Sequence, residues 1–365
     1  MNGGLITLKA LQQQLLGTQT AFVSYRLPDK SDPETIISAG GFYIIPRIRE
    51  VFNGKPGFIM APFLKSQPPL FLDAELTLRG AQFPDPGIRR HEVFAIPECT
   101  IAVPDKENYI EKLRQVITGI GSGIADKVVI SRPIEIPFRE VQLSIPLFEQ
   151  LCLDYPSAFV YLAWIPGYGL WTGASPELLL RVENDTVTTM ALAGTRDAGS
   201  LAWTNKEMDE HEWVCRHIEE KLAVSGSIEI FRSETETITA GMACHLKTGF
   251  KTIIEDNNKG KLLEDLHPTP AVCGWPEKAA LDMIKDAENY DRGFYTGFLG
   301  PVKSVEQSAF FVNLRCMQVF QDKAIVYAGG GITAASDPAA EWEETVLKSR
   351  TMLTAIGKIQ NLAYF

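Results

Sequence analysis

Four glutamates pose the first chemical question. Glu207 and Glu210 run, at spacings of three and then four, into Val214, Ile218 and Leu222, so two carboxylates extend the apolar stripe of one helix. Glu341 and Glu344 repeat the arrangement ahead of Lys348 and Met352, with Leu353 and Ile356 beside the stripe. An uncompensated carboxylate in a core is expensive, so each helix must turn its acids to water or find them a counter-charge. Two helices that each offer acids at i and i+3 can meet over a hard cation, because Mg²⁺ takes one or two protein carboxylates and completes its shell with water and substrate oxygens. A surface ion-pair network would use the same residues. Gly329, Gly330 and Gly331, after the strand-like IVYA, can let backbone amides approach an anionic oxygen or can form a tight strand-to-loop turn. Arg315 has the fork geometry for a carboxylate; keeping an exposed strand soluble is its other use.

Positioning these groups takes a long series of elements. Leu5, Leu8, Leu11 and Leu15, flanked by Leu16, predict an amphipathic helix over residues 5–17. FVSYRLP, GGFYIIPR and GKPGFIMAPF, punctuated by Gly and Pro, predict strands, and the turn-rich residues 80–90 make no clean linker. A helix over 109–120, with Ile110, Leu113, Val116, Ile117 and Ile120 inward, feeds a strand at 127–131. The pattern continues with a helix at 144–153, a strand at 158–165, hairpin strands over WTGASPELLLRVENDTVTTMALAG and a helix at 204–224. Strands at 227–231 and 242–250, a helical turn at 260–266 and a helix at 277–288 behind Pro276 follow. From Gly293 onward GFYTGFLGPV, AFFVNLRCMQVF and KAIVYAGGGI predict three successive strands, and alternation places Phe311, Asn313, Arg315 and Met317 on one face of the middle one. A final helix over 338–359 opens on proline, whose missing amide hydrogen costs nothing there. Strands followed by helices, then consecutive antiparallel strands, predict an α+β fold. Neither a GxGxxG after a strand nor a GxxxxGK[ST] motif is present, so dinucleotide and P-loop chemistry find no support.

Composition narrows the partners. At about 150 residues per domain, 365 residues make one large domain or two smaller ones, and 45% hydrophobic with 22% charged residues is ordinary for a globular core. The net charge of -10, with basic residues scattered, argues against a partner that needs a broad positive face, such as nucleic acid. A small anion held by a few Arg and Lys, or through a cation, stays open. Cys99, Cys152, Cys215, Cys244, Cys273 and Cys316 contain no CxxC pair and read as buried free thiols. The first residues lack a basic segment followed by an apolar run, and no stretch is apolar enough to span a membrane, so a cytoplasmic protein without a membrane partner is expected.

Eight phrases then occur in order: DKVVISR at 126–132, GASPELLL at 173–180, ALAGTR at 191–196, KEMDEH at 206–211, HPTPAVCGWP at 267–276, DRGFYTGFLG at 291–300, FFVNLRC at 310–316 and AGGGITAASDPAAEWEETVLKS at 328–349. Together they resemble the chorismate-utilising enzymes, a family that includes isochorismate, salicylate, anthranilate and aminodeoxychorismate synthases. The resemblance implies a large α/β sandwich of antiparallel sheets flanked by helices, with the site between the sheets. It also implies one catalytic domain over residues 1–365, of which 1–100 is a divergent N-terminal portion, and Mg²⁺-dependent chemistry on chorismate. Lys127 matches the general base of the branch that uses water as nucleophile, and Glu177 the general acid that protonates the departing C4 hydroxyl. Ala193 precedes Gly194 and Thr195 where aminodeoxychorismate synthases carry a lysine.

By the same resemblance Glu210 and Glu344 are the main Mg²⁺ ligands, with Glu207 and Glu341 close by, directly or through water. Gly194, Thr195, His267, Tyr295, Arg315, Gly329, Gly330, Gly331 and Lys348 correspond to substrate-site residues; without the motif His267 would read as a core or loop histidine. Gly330 stands where members often have alanine. The implied activity is that of an isochorismate synthase, whose product feeds menaquinone or siderophore synthesis. Salicylate synthase, which shares these positions, is the alternative. Chorismate and isochorismate are the expected partners, acting on a monomer without an amidotransferase subunit.

Overall fold

The computed structural model describes residues 5–52, 54–87, 96–138, 140–197, 202–240 and 243–361. Its centre follows from strands that are apolar on both faces. In Phe159–Ile165, Val160, Leu162 and Trp164 turn to one side and Phe159, Tyr161, Ala163 and Ile165 to the other, and all are buried. Such a strand has to lie inside a stack of layers.

Two antiparallel sheets make the middle of that stack. The first runs, edge to edge, through Gly274–Trp275, Lys127–Pro137, Lys323–Ile332, Cys316–Val319, Gly169–Ser175, Phe159–Ile165, Ala21–Arg26, Glu34–Ser38 and Leu76–Arg79. The second runs through Phe231–Arg232, Ala243–Ile253, Thr186–Asp197, Leu178–Glu183, Gln307–Val312, Phe298–Ser304, Gly57–Ala61, Leu70–Asp73 and Phe42–Ile44, with Glu236–Ala240 also paired to Ala243–Ile253. Between the sheets lies an aromatic core in which Phe159 and Phe311 stack at 4.2 Å and Tyr25 meets Phe58 at 5.6 Å. Strands from the first eighty residues belong to both sheets.

Seven α-helices are present among the described residues: α1 (Leu8–Thr18), α2 (Lys106–Gly121), α3 (Ser144–Asp154), α4 (Asn205–Val224), α5 (Asp256–Leu266), α6 (Glu277–Ala287) and α7 (Pro338–Gln360). Leu11 and Leu15 of α1, Phe148 of α3 and Met352 and Ile356 of α7 cover the outer face of the first sheet. Val214, Ile218 and Leu222 of α4 and Leu262, Leu263 and Leu266 of α5 cover the outer face of the second. Leu113 of α2 and Ile284 of α6 pack with Val128, Ile130 and Ile332 at the edge of the first sheet. The six cysteines are free; four are buried, and Cys99 and Cys152 are partly exposed. Among the described residues no helix is long and apolar enough to cross a membrane.

Several sequence expectations need correction. AFFVNLRCMQVF is not one strand: Gln307–Val312 pairs in the second sheet and Cys316–Val319 in the first, so Phe311, Asn313, Arg315 and Met317 do not share a strand face. Asn313 holds the break, donating from Nδ2 to Phe294 O and accepting at Oδ1 from the Tyr161 hydroxyl, and Arg315 beyond it takes φ 48°. WTGASPELLL divides likewise, with Gly169–Ser175 in the first sheet and Leu178–Glu183 in the second. The two crossings run side by side, since Gly173 pairs with Cys316 and Leu178 with Phe311. Residues 5–7 are a strand against Gln82–Pro84, and Thr7 caps α1 by accepting from Ala10 N. The strand expected at 227–231 shrinks to Phe231–Arg232, that at 127–131 extends to Pro137, and the turn at 260–266 begins at Asp256. The start of the strand expected at 242 falls outside the described residues.

Truncating either ring of the stacked pair tests this account of the core. Phe159→Ala and Phe311→Ala should each destabilise the protein by about 3–5 kcal/mol. Because the rings touch, the double variant should lose less than the sum of the two in denaturant titration.

Candidate active site

The paired crossings border a cleft on which charged side chains from both sheets and two helices converge. Lys127 is the first residue of its strand, held between Trp275 on one edge and the glycine-bearing strand on the other. Glu177 lies on one crossing and Arg315 on the other, tied together where Val312 N donates to Glu177 O and Ser175 Oγ donates to Val312 O. On the second sheet the ladder between Thr186–Asp197 and Ala243–Ile253 shifts between Ala193 and Arg196, where Gly194 and Thr195 stand opposite the single His245 and bulge into the cleft, with Gly194 at φ 69°. The cleft, about 700 Å³ with its mouth included, is also lined by Glu210, His245, Tyr295, Glu344 and Lys348.

The three consecutive glycines are neither turn nor nest. Gly329, Gly330 and Gly331 lie within Lys323–Ile332, opposite Ser131, Ile130 and Val129, and none has a positive φ. What they provide is room. A Cβ on Gly331 would lie 2.7 Å from Glu210 Oε1 and 2.8 Å from Lys127 Cε; one on Gly330 would lie 3.1 Å from Glu341 Oε2 and 3.4 Å from Glu344 Oε1. Gly329 and Gly331 line the cleft, whereas Gly330 backs onto the α7 acids.

Burial decides the protonation of the two groups matched to base and acid. Lys127 is 2% exposed, and loss of water pushes its ammonium below the ordinary lysine range, a shift that Glu210 opposes. Glu177, also 2% exposed, is pushed up to about 8 by burial, which the positive field of Lys127 and Lys348 only partly offsets. At neutral pH the cleft therefore holds a carboxyl that carries its proton. Glu210 is raised to about 7, by burial first and then by Glu344 and Glu341 against the pull of Lys127 and Lys206.

Oxygen donors gather where α4 and α7 meet the glycines. Glu344 Oε1 pairs with Lys348 Nζ at 2.7 Å, and Lys348 also donates to Gly329 O at 2.9 Å. Glu341 pairs with Lys206 through Oε1. Glu210 Oε1 and Glu341 Oε2 are buried and have no hydrogen-bond partner. Unpartnered buried carboxylate oxygens are costly, and a hard-oxygen set of this kind fits Mg²⁺ better than a soft metal. Among the described residues no group of three or more His, Cys, Asp and Glu side chains forms a complete metal cage. An ion here would draw the rest of its shell from substrate and water, as Mg²⁺ sites do.

Two expected residues sit elsewhere. Glu207 turns its Oε2 back to Thr204, accepting from the backbone N at 2.8 Å and from the hydroxyl, so its carboxylate is spent on the capping box that starts α4. His267 is buried with Nε2 on the Pro62 carbonyl at 3.0 Å and its ring edge-on to Phe298, outside the lining of the cleft.

His245 is the residue that sequence reasoning passed over. It faces the Gly194–Thr195 bulge, where Nδ1 donates to Gly194 O at 2.9 Å, and burial lowers its pKa to about 3. The neutral ring thus has its free lone pair on Nε2, which accepts from the Arg315 guanidinium at 3.3 Å. A polar residue in an apolar strand opposite ALAGTR was the available signal. Behind the opposite wall, Arg292 and Glu288 form a buried ion pair at 2.6 Å. Arg292 donates to Val129 O, Val272 O and Thr296 Oγ1, and Glu288 accepts from Ser131 N. Val129, Val272 and Thr296 all line the cleft, so this pair fixes three parts of its wall together.

Comparison with known proteins gives this geometry a lineage. A family model described as chorismate binding enzyme matches residues 89–357. The isochorismate synthase EntC of Escherichia coli (strain K12) is 31% identical over 268 residues, covering 70% of this chain and 68% of its own. The vibriobactin-specific isochorismate synthase of Vibrio cholerae is 31% identical over 271 residues, covering 70% and 68%. The crystal structure of DhbC from Bacillus anthracis matches with a TM-score of 0.79 and 25% identity, over 95% of this chain and 99% of that one. A family model spanning most of the chain, and relatives of that identity and coverage, lead to one conclusion: this protein belongs to the chorismate-binding enzyme family.

Proposed function

We propose that this chain converts chorismate to isochorismate, adding water at ring carbon C2 and releasing the C4 hydroxyl, with Mg²⁺ bound. The observation that carries the reading is the pairing, in one buried cleft, of a lysine pushed toward its neutral form and a carboxyl that keeps its proton at neutral pH. Relatives that bear the isochorismate synthase name support it.

In this reading Lys127 Nζ takes a proton from the attacking water as the C2–O bond forms. The ring double bonds shift, and Glu177 delivers its proton to the C4 oxygen as that C–O bond breaks, so one water enters and one leaves. Tuning two groups in opposite directions is what acid–base chemistry near neutral pH requires. Arg315, oriented by His245, offers a two-donor fork to one substrate carboxylate, and Tyr295, stacked on Tyr327 at 5.1 Å, walls the same side. Glu210 and Glu344 would hold Mg²⁺, with Glu341 beside them. When bound, the ion supplies positive charge that orients the other substrate carboxylate and relieves the acids. Ala193, small and apolar, leaves water as the nucleophile by resemblance to the water-using branch.

Product analysis is the direct test. Chorismate with Mg²⁺ should give isochorismate, reversibly and without ammonia. Anthranilate, or salicylate with an equal amount of pyruvate beyond the enzyme-free decay of isochorismate, would overturn the assignment when the products are separated and weighed over time.

The acid and the base should each be needed for turnover. Lys127→Ala and Glu177→Gln should lower kcat at least about 100-fold, the usual scale of general acid–base assistance, while changing substrate binding less. In the parent, kcat should fall as pH rises through about 8, where Glu177 loses its proton. Stability has its own sign. The folded protein holds this proton up to about 8 and the unfolded chain releases it near 4.5, so the native state binds more protons between those values and loses stability as pH rises across them. Glu177→Gln should therefore gain thermal midpoint over the parent progressively from pH 4.5 to 8 and show no such gain below that window.

Glu210→Ala and Glu344→Ala should raise the Mg²⁺ concentration needed for half-maximal activity by about tenfold or more. An unchanged Mg²⁺ requirement in both variants would remove them from the ligand set.

A further inference from the structure

Lys206 does not line the cleft, yet it stands in the field of the cleft's acids. It occupies the first turn of α4, one residue before the Glu207 that caps the helix, and it pairs with Glu341, a carboxylate only 2% exposed. Burial alone would lower its pKa; Glu341, followed by Glu210, reverses the effect and holds the ammonium charged. Three acids, Glu210, Glu341 and Glu344, thus face three amines, Lys127, Lys206 and Lys348, each of which feels at least one of them. With Lys127 pushed toward its neutral form, Lys206 and Lys348 are the cations paired with these acids before any metal arrives, and Glu210 Oε1 and Glu341 Oε2 are left without partners.

A dication that draws on these acids meets ammonium groups already paired with Glu341 and Glu344, so it has to compete with one of them. Lys127 is sealed in, and Lys348 is tied to Gly329 O as well as to Glu344. Lys206 keeps 22% of its side chain in water at a helix end and carries its charge on a flexible four-carbon stem. We propose that Lys206 is a resident counter-cation that holds Glu341 in the metal-free protein and competes with the divalent ion for the acidic cluster. Mg²⁺ affinity is then set by exchange of an ammonium for the ion, and metal binding frees Lys206 into solvent. This rests on the Mg²⁺ reading of the cluster given above.

The test needs no turnover. Full-length parent, K206M and K206R are titrated with MgCl₂ at fixed ionic strength, without chorismate, by calorimetry and by thermal midpoint. K206M should have a lower midpoint than the parent without metal, bind Mg²⁺ about tenfold more tightly and show a larger Mg²⁺-induced rise, because a repelling charge has gone. K206R, which keeps the charge, should stay within about twofold of the parent. Should K206M not fold, K206Q carries the same expectation. Equal or weaker Mg²⁺ binding by the uncharged variant would overturn the competition while leaving the metal site standing. Absence of Mg²⁺ binding to parent and variants alike would overturn the metal reading itself.

Discussion

Charge held away from water is the constraint on which this structure depends. Lys127, Glu177, Glu210 and Glu341 are all nearly inaccessible, and in a folded chain such groups survive only by changing protonation or by finding opposite charge. Both solutions are present. Glu177 keeps its proton, whereas Glu341 and Glu344 take lysines. The partition fits the proposed chemistry, since a proton donor must be neutral and a metal ligand must be ionised.

Rigid surroundings make that partition durable. The side-by-side crossings place Glu177 and Arg315 on segments that hydrogen-bond to each other through Val312 and Ser175, and His245 anchors the guanidinium from the second sheet. On the other side, the Arg292–Glu288 pair gathers the backbone of Val129 and Val272 with the Thr296 hydroxyl. These groups answer one another behind the cleft, so the walls that carry the reacting side chains are held by partners that do not themselves react.

Much of this was legible in the sequence, for reasons that differ element by element. The stripe Val214, Ile218, Leu222 announced a buried helix face, and Glu210 continuing it was already anomalous. Glu207 carried the same periodic signal but a different fate: a capping box is a local contact with Thr204, and local contacts override helical phase at a first turn. The break at Asn313 was invisible to alternation because the residues on either side are good strand formers in both sheets, and which sheet they join is settled by tertiary partners such as Phe294 and Tyr161. The glycine run misled in a different way. Absence of side chains suggested a turn or a nest, whereas the run continues a strand and leaves space for side chains arriving from α4, α7 and the next strand. His245 lacked a local pattern of its own, and its partners Gly194 and Arg315 lie 51 and 70 residues away.

Those separations have a kinetic meaning. Lys127, Glu177, His245, Arg315 and Glu344 come from segments spread along the chain, and Glu177 and Arg315 lie on the two strand crossings. Contacts so distant in sequence demand loop closure before they return any energy, so a fold of this topology forms slowly. The cleft is accordingly complete only when contacts distant in the chain have formed. Ligands that need the whole constellation should therefore recognise only the finished protein, pulling the folding equilibrium forward by mass action without assisting any earlier step.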